Sequence, residues 1–179
     1  RSIWVTGVQT CALPIYRDPV PDISRFCGPI RSALGKLPRR VRVMAEPGRF
    51  IVGPAAIGVA SVMGRARREG HWWYYLDDGL YGSYSGQLYD HARYPVEPLR
   101  NDGGERLPSV LAGPTCDSID VIAENLMLPE LKAGDLIIGR TMGAYTWASA
   151  SEFNFFPKAT VVAANQRPGD MGTVMPFPL

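Results

Sequence analysis

Residues 41–70 read VRVMAEPGRFIVGPAAIGVASVMGRARREG, and the order of residue types along this stretch decides the expected fold. Val41 to Ala45 reads as a short strand that runs into the polar loop Glu46–Arg49. Gly53 and Pro54 then open an expected helix over about Ala55 to Glu69. Proline suits its first turn, Arg65, Arg67 and Arg68 sit near its C-terminus, and Gly70 caps it. Upstream, Ile23, Phe26, Ile30, Leu34 and Leu37 recur at three- and four-residue steps, the period of an amphipathic helix that Gly28 and Pro29 interrupt near its start. Helix, strand, functional loop, helix is the rhythm of an α/β barrel nearing its end.

After Gly70 the pattern changes. HWWYYL, QLYDHA, DLIIGR and KATVVAAN are rich in aromatic and β-branched residues and are separated by Gly, Pro, Asp and Asn. They predict an antiparallel β-barrel or sandwich domain over residues 71–179, with one short helix near Ile119–Glu124. The fold class expected is therefore mixed α/β, the last strand–helix units of a (β/α)8 barrel over residues 17–70 followed by this β domain. The opening RSIWVTGVQTCALPIY continues no helical or strand period, and the first methionine is Met44. It resembles a translated sequencing-adapter sequence, so residues 1–16 are expected to be a non-native leader outside the fold.

The chain has 179 residues, of which 46% are hydrophobic and 20% charged, enough for a core of its own. A net charge of +2 is too small to imply nucleic acid or an anionic membrane as the main partner. The apolar run Phe50 to Gly64 is too short to span a bilayer. Three cysteines without a CxxC pair and two histidines make a poor metal set, so no metal is expected and the compartment reads as reducing and cytoplasmic. GRARREGHWWYY mixes arginines with aromatics, which raises a nucleic-acid patch as a rival. Arginines in the last turn of a helix followed by a strand explain it more economically.

Four segments read poorly as plain scaffold: EPGR (Glu46–Arg49), YDH (Tyr89–His91), GPTCD (Gly113–Asp117) and GAYT (Gly143–Thr146). Each sets polar or reactive groups beside glycine or proline at the end of an apolar run, where a strand hands over to a loop. From about Arg40 to Asn165 their order and wording closely resemble the eukaryotic-type ornithine decarboxylase family. That resemblance implies a pyridoxal-phosphate (PLP) binding barrel followed by a β domain, with active sites formed across a homodimer interface. It also implies decarboxylation of ornithine or lysine to putrescine or cadaverine.

The same resemblance assigns roles. Glu46 is expected to hold the cofactor's ring nitrogen protonated, while Gly48, Arg49 and Tyr145 receive its phosphate. Cys116 is the expected acid that protonates the substrate α-carbon in the partner subunit's site. Asp117 and Asp90 are expected at the distal ammonium of the substrate, with Phe153 lining the pocket. Tyr81 and Asp120 are expected at the dimer interface, Asp120 as partner to a basic residue of the other barrel. Taken alone, each motif has a plainer explanation: a surface Glu–Arg pair, a packed thiol, aspartates capping loops, aromatics in a core.

The chemistry also needs a lysine to hold the cofactor covalently. The chain has Lys36, Lys132 and Lys158, none in the setting the resemblance requires, on an early barrel strand. The expectation is a C-terminal fragment, inactive alone. A non-catalytic regulatory homologue built on the same scaffold is the alternative; the presence of Glu46, Arg49, Cys116 and Asp117 favours an enzyme parent. Ornithine and lysine differ by one methylene and are left undecided.

Overall fold

In a computed structural model of the chain, residues 22–44, 48–100 and 103–164 are described. The amphipathic repeat upstream forms helix α1 (Ser24–Leu34), and none of its residues is buried; Ile30 and Leu34 stand in the open. The expected strand at Val41–Ala45 is not found over its described part. Val41 to Met44 have no regular structure and are exposed, and Ala45 lies outside the described residues. A barrel strand exists by pairing on both edges, and no described segment pairs with this one.

The expected helix at 55–69 is corrected more sharply. After a four-residue helix α2 (Arg49–Val52), the Gly53–Pro54 signal serves only a single 3-10 turn, Gly53–Ala55. Gly58–Arg68 is strand β1. Its pattern is alternating: Ala60 and Val62 are buried, while Val59, Met63, Arg65 and Arg67 face out. Period two beats the capping residues because it is the pattern that buries one clean face. The sheet thus begins before residue 70, and the change of character there is the turn of a hairpin.

Strand β2 (His71–Leu76) pairs antiparallel with β1, Arg67 opposite Trp72 and Ala66 opposite Trp73. Helix α3 (Gly86–Asp90) replaces the expected strand character of QLYDHA. Then come β3 (Val96–Pro98), β4 (Leu107–Ala112), β5 (Val121–Leu128) and β6 (Leu136–Gly139). The expected helix near Ile119–Glu124 is the start of β5. KATVVAAN forms no strand over its described residues 158–164.

The six strands form one sheet in the order β3-β6-β1-β2-β4-β5. It is mixed rather than antiparallel: β2 and β4 run parallel, Trp72 opposite Ser109 and Tyr74 opposite Leu111. The long crossover between them, carrying α3 and β3, returns the chain to the starting end as a parallel pair demands. The sheet curls into a nearly closed barrel, its edge strands β3 and β5 facing each other across an open cleft. Gln87 spans part of that gap by donating to the carbonyl of Ile122 at 3.0 Å. The interior is filled by Tyr74, Tyr84, Leu76, Leu111, Ile137 and Val62, each less than 2% exposed. No helix among the described residues is long and apolar enough to cross a membrane.

Candidate active site

The loop after β6 is fastened to the turn after α2. Gly143 N–H donates to Gly53 at 2.8 Å and Met142 N–H to Ala56 at 2.9 Å. This junction brings GAYT against EPGR. The Arg49 guanidinium, 6% exposed, lies 4.8 Å from the centre of the Tyr145 ring and forms an ion pair with Asp90. Tyr145 sits at φ 53°, a left-handed backbone that turns its side chain back toward α2. Its hydroxyl stands 3.8 Å from where a Cβ on Gly48 would be, beside open backbone. Asp90 ends α3, and His91 follows it at φ 53° as the helix cap. Gly48, Arg49, Asp90 and Tyr145 therefore form one cluster.

A second cluster forms where β4 ends. The GPTCD loop is folded around Asp120, which is 2% exposed. Its Oδ1 accepts from Leu80 N–H at 2.8 Å, and Oδ2 from Thr115 N–H at 3.0 Å and Thr115 Oγ1 at 2.7 Å. A Cβ on Gly113 would fall 2.1 Å from that carboxylate, so the loop can close on Asp120 only with glycine there. The fixed loop presents Cys116, exposed, whose sulfur accepts from Asn154 Nδ2 at 3.5 Å. Asp117 accepts from the Tyr81 hydroxyl at 2.5 Å on Oδ2 and from Ile119 N–H at 3.1 Å on Oδ1. The hydrogen bond to Asp117 pushes the Tyr81 hydroxyl up to about 12, and the same bond, followed by that of Ile119, holds Asp117 below its ordinary value. The Tyr81 ring stacks on Phe153 with centroids 4.2 Å apart.

The two clusters are joined through the loops that carry them. Ser85 Oγ donates to Thr146 O at 2.9 Å, and Ser151 N–H donates to Tyr81 O at 2.8 Å. Asp90 stands with Arg49, whereas Asp117 stands with Tyr81 and Phe153. Asp120, expected to face another subunit, has both carboxylate oxygens engaged inside its own chain. Glu46 lies outside the described residues, as do residues 1–16, where a non-native leader is expected. Thr115, inside the GPTCD segment but given no role there, and Asn154, which the sequence did not single out, also belong to the site. Asn154 is left-handed at φ 56°, a conformation that asparagine tolerates, but its contact with a cysteine 38 residues away left no local trace. Among the described residues no group of three His, Cys, Asp or Glu could hold a metal.

At one end of the sheet domain the loops and short helices thus gather a buried arginine, two phenols, three aspartates and a thiol. The chain belongs to the pyridoxal-dependent decarboxylases: the family model for their C-terminal sheet domain matches residues 22–143. A lysine/ornithine decarboxylase of Selenomonas ruminantium is 38% identical over 157 residues, 84% of this chain and 39% of its own length. Two crystal structures of the lysine/ornithine decarboxylase of Vibrio vulnificus are nearer in sequence. The complex with cadaverine is 62% identical, with a TM-score of 0.76 over 80% of this chain and 39% of that one. The complex with putrescine is 60% identical, with a TM-score of 0.79 over 85% and 41%. The chain thus spans about two fifths of the length of these relatives.

The family's cofactor is PLP, and the residues present fit one end of it. A buried guanidinium, a phenol and backbone unobstructed by a Cβ make a donor set suited to a phosphate. No lysine belongs to the cluster. Lys158 lies with its Nζ 5.1 Å from the centre of the Trp147 ring, and Lys36 and Lys132 are exposed in turns.

Proposed function

We propose that this chain is the C-terminal part of a PLP-dependent decarboxylase that converts lysine or ornithine to cadaverine or putrescine and CO2, in cytoplasmic polyamine synthesis. The observation that carries the reading is the gathering of four dispersed motifs into two linked clusters, each chemically matched to one half of such a site. The Vibrio vulnificus relative, crystallised with either diamine, supports a pocket open to both chain lengths. The cofactor-binding barrel of the whole enzyme precedes this sheet domain, whose first strand is Gly58–Arg68, and the active enzyme is a homodimer.

When bound, PLP supplies the electron sink that accepts the electron pair left by the departing carboxylate. Gly48, Arg49 and Tyr145 grip its phosphate, and Glu46 keeps its ring nitrogen protonated. Cys116 delivers a proton to the substrate α-carbon in the partner's site. Asp117 receives the distal ammonium there, and Asp90 provides the second carboxylate once a phosphate has taken its place at Arg49. Phe153 walls the pocket. Tyr81 lies at the subunit boundary. Asp120 acts first as the keystone of the loop that carries Cys116 and Asp117, and through that loop it shapes the dimer surface.

The chain by itself is inactive in this reading, because no lysine stands at the phosphate cluster. PLP mixed with it should give no stable adduct reducible by borohydride. Activity is tested by co-expressing the chain with the barrel portion of the Vibrio vulnificus enzyme. Release of CO2 from lysine or ornithine is expected. A folded, PLP-loaded assembly that releases none from either substrate overturns the proposal.

A further inference from the structure

The Tyr81–Asp117 pair has a geometry that a boundary aromatic does not need. Tyr81 leaves the turn after β2, and Asp117 leaves the loop after β4, 36 residues on. The tyrosine ring is fixed from one side by its stack on Phe153, at 4.2 Å and 27° between planes. Its hydroxyl is aimed at Asp117 Oδ2, while Ile119 N–H takes Oδ1. Two donors of different origin thus lock the carboxylate in rotation. An ionised carboxylate has about four acceptor positions, so two are left for an incoming cation.

We infer that Tyr81 is the positioning residue of Asp117: its hydroxyl fixes and polarises the carboxylate that receives the distal ammonium of a diamino acid, and Phe153 holds Tyr81 in place to do so. This rests on the decarboxylase reading for the identity of the cation, though not for the coupling itself. The consequence is selective. Substrates with a distal amine depend on Tyr81, and analogues without one do not. The bond is neutral-to-charged, of the kind that favours the ionised acid, so losing it also moves the acid limb of the substrate-binding profile.

Two measurements test it, with Tyr81→Phe retaining the ring and its stack and Tyr81→Ala removing both. In the full 179-residue chain carrying 13C-carboxyl aspartate, the Asp117 titration midpoint is expected below the ordinary carboxylate value in wild type and higher in Y81F. In the assembly with the Vibrio vulnificus barrel, Y81F is expected to raise KM for lysine and ornithine about tenfold, the effect of one such hydrogen bond, with kcat changed less than about twofold. Inhibition by an amino acid of equal length lacking the distal amine should be the same in both. An Asp117 midpoint unmoved in Y81F, or an unmoved KM for both diamino acids in an active assembly, overturns the inference. A wild-type assembly that releases no CO2 sinks the decarboxylase reading instead, and the carboxyl titration still decides the coupling.

Discussion

A Cβ placed on Gly143 would stand 1.7 Å from the carbonyl oxygen of Val52, less than any real contact. The loop after β6 therefore docks on α2 only because position 143 has no side chain. Through this approach Tyr145 reaches Arg49. Gly143→Ala must push backbone from backbone, with no flexible side-chain end to yield. We expect a loss of about 2 kcal/mol, within the range for overpacked sites, read as a lower urea midpoint at unchanged slope.

Asp120 is the second such constraint. Replacing it by alanine leaves Leu80 N–H, Thr115 N–H and Thr115 Oγ1 without their acceptor in a buried place. At about 1–3 kcal/mol for each group left unsatisfied, with relaxation recovering part, the expected loss is about 3–5 kcal/mol. Asp120→Asn keeps one acceptor but turns an amide N–H toward donors, so about 2 kcal/mol is expected. Chemical denaturation ranks the three proteins, and an alanine variant as stable as wild type would refute the clamp.

Tyr84 predicts the opposite sign. It is 1% exposed, and its hydroxyl is buried with no hydrogen-bond partner among the described residues. Tyr84→Phe removes a desolvated polar atom and should be neutral to stabilising, by up to about 1 kcal/mol at pH 7. Burial also raises the Tyr84 hydroxyl above its ordinary value near 10. A raised folded value means stability that is complete below about pH 10, the unfolded tyrosine value, and lost as pH climbs beyond it. The wild type should lose stability with each step above pH 10 more steeply than Y84F does.

The motifs are more legible in the sequence than the helix and strand boundaries. Glycine next to a polar or reactive group at the end of an apolar run is a local signal, and the segments it picked out, Gly48–Arg49, Gly113–Asp117 and Gly143–Tyr145, are ones that pack against distant parts of the chain. Helix against strand at 55–69 was a competition between two local signals. Gly53–Pro54 and the arginines argue for a helix, and the alternation through Val59, Ala60, Ser61 and Val62 argues for a strand. What decided it lies elsewhere in the chain, in the pairing of Gly58–Ser61 with Leu136–Gly139. Strand stability belongs to partners, and those are not written next to the strand. The same holds for Asn154 beside Cys116, and for the choice of Asp90 between Arg49 and a substrate amine. Ion pairs across 41 residues follow from topology, which the motifs alone do not contain.

That choice at Asp90 yields a measurable consequence. Arg49 is almost wholly buried and its charge is met by Asp90, itself one-third exposed. Any phosphate that approaches the guanidinium competes with this carboxylate for the same donors. Asp90→Asn keeps the shape and removes the competing charge, so inorganic phosphate should bind the variant about tenfold more tightly, a difference of about 1.4 kcal/mol. The variant should also be less stable without phosphate, since a buried guanidinium then faces a neutral amide. Adding phosphate should close much of that gap, because a ligand of the native state stabilises it by mass action. Calorimetric titration and thermal melts with and without phosphate give both numbers. Equal phosphate affinity in the two proteins would mean that Asp90 does not guard Arg49, and that anions reach the cluster by contacts other than the guanidinium.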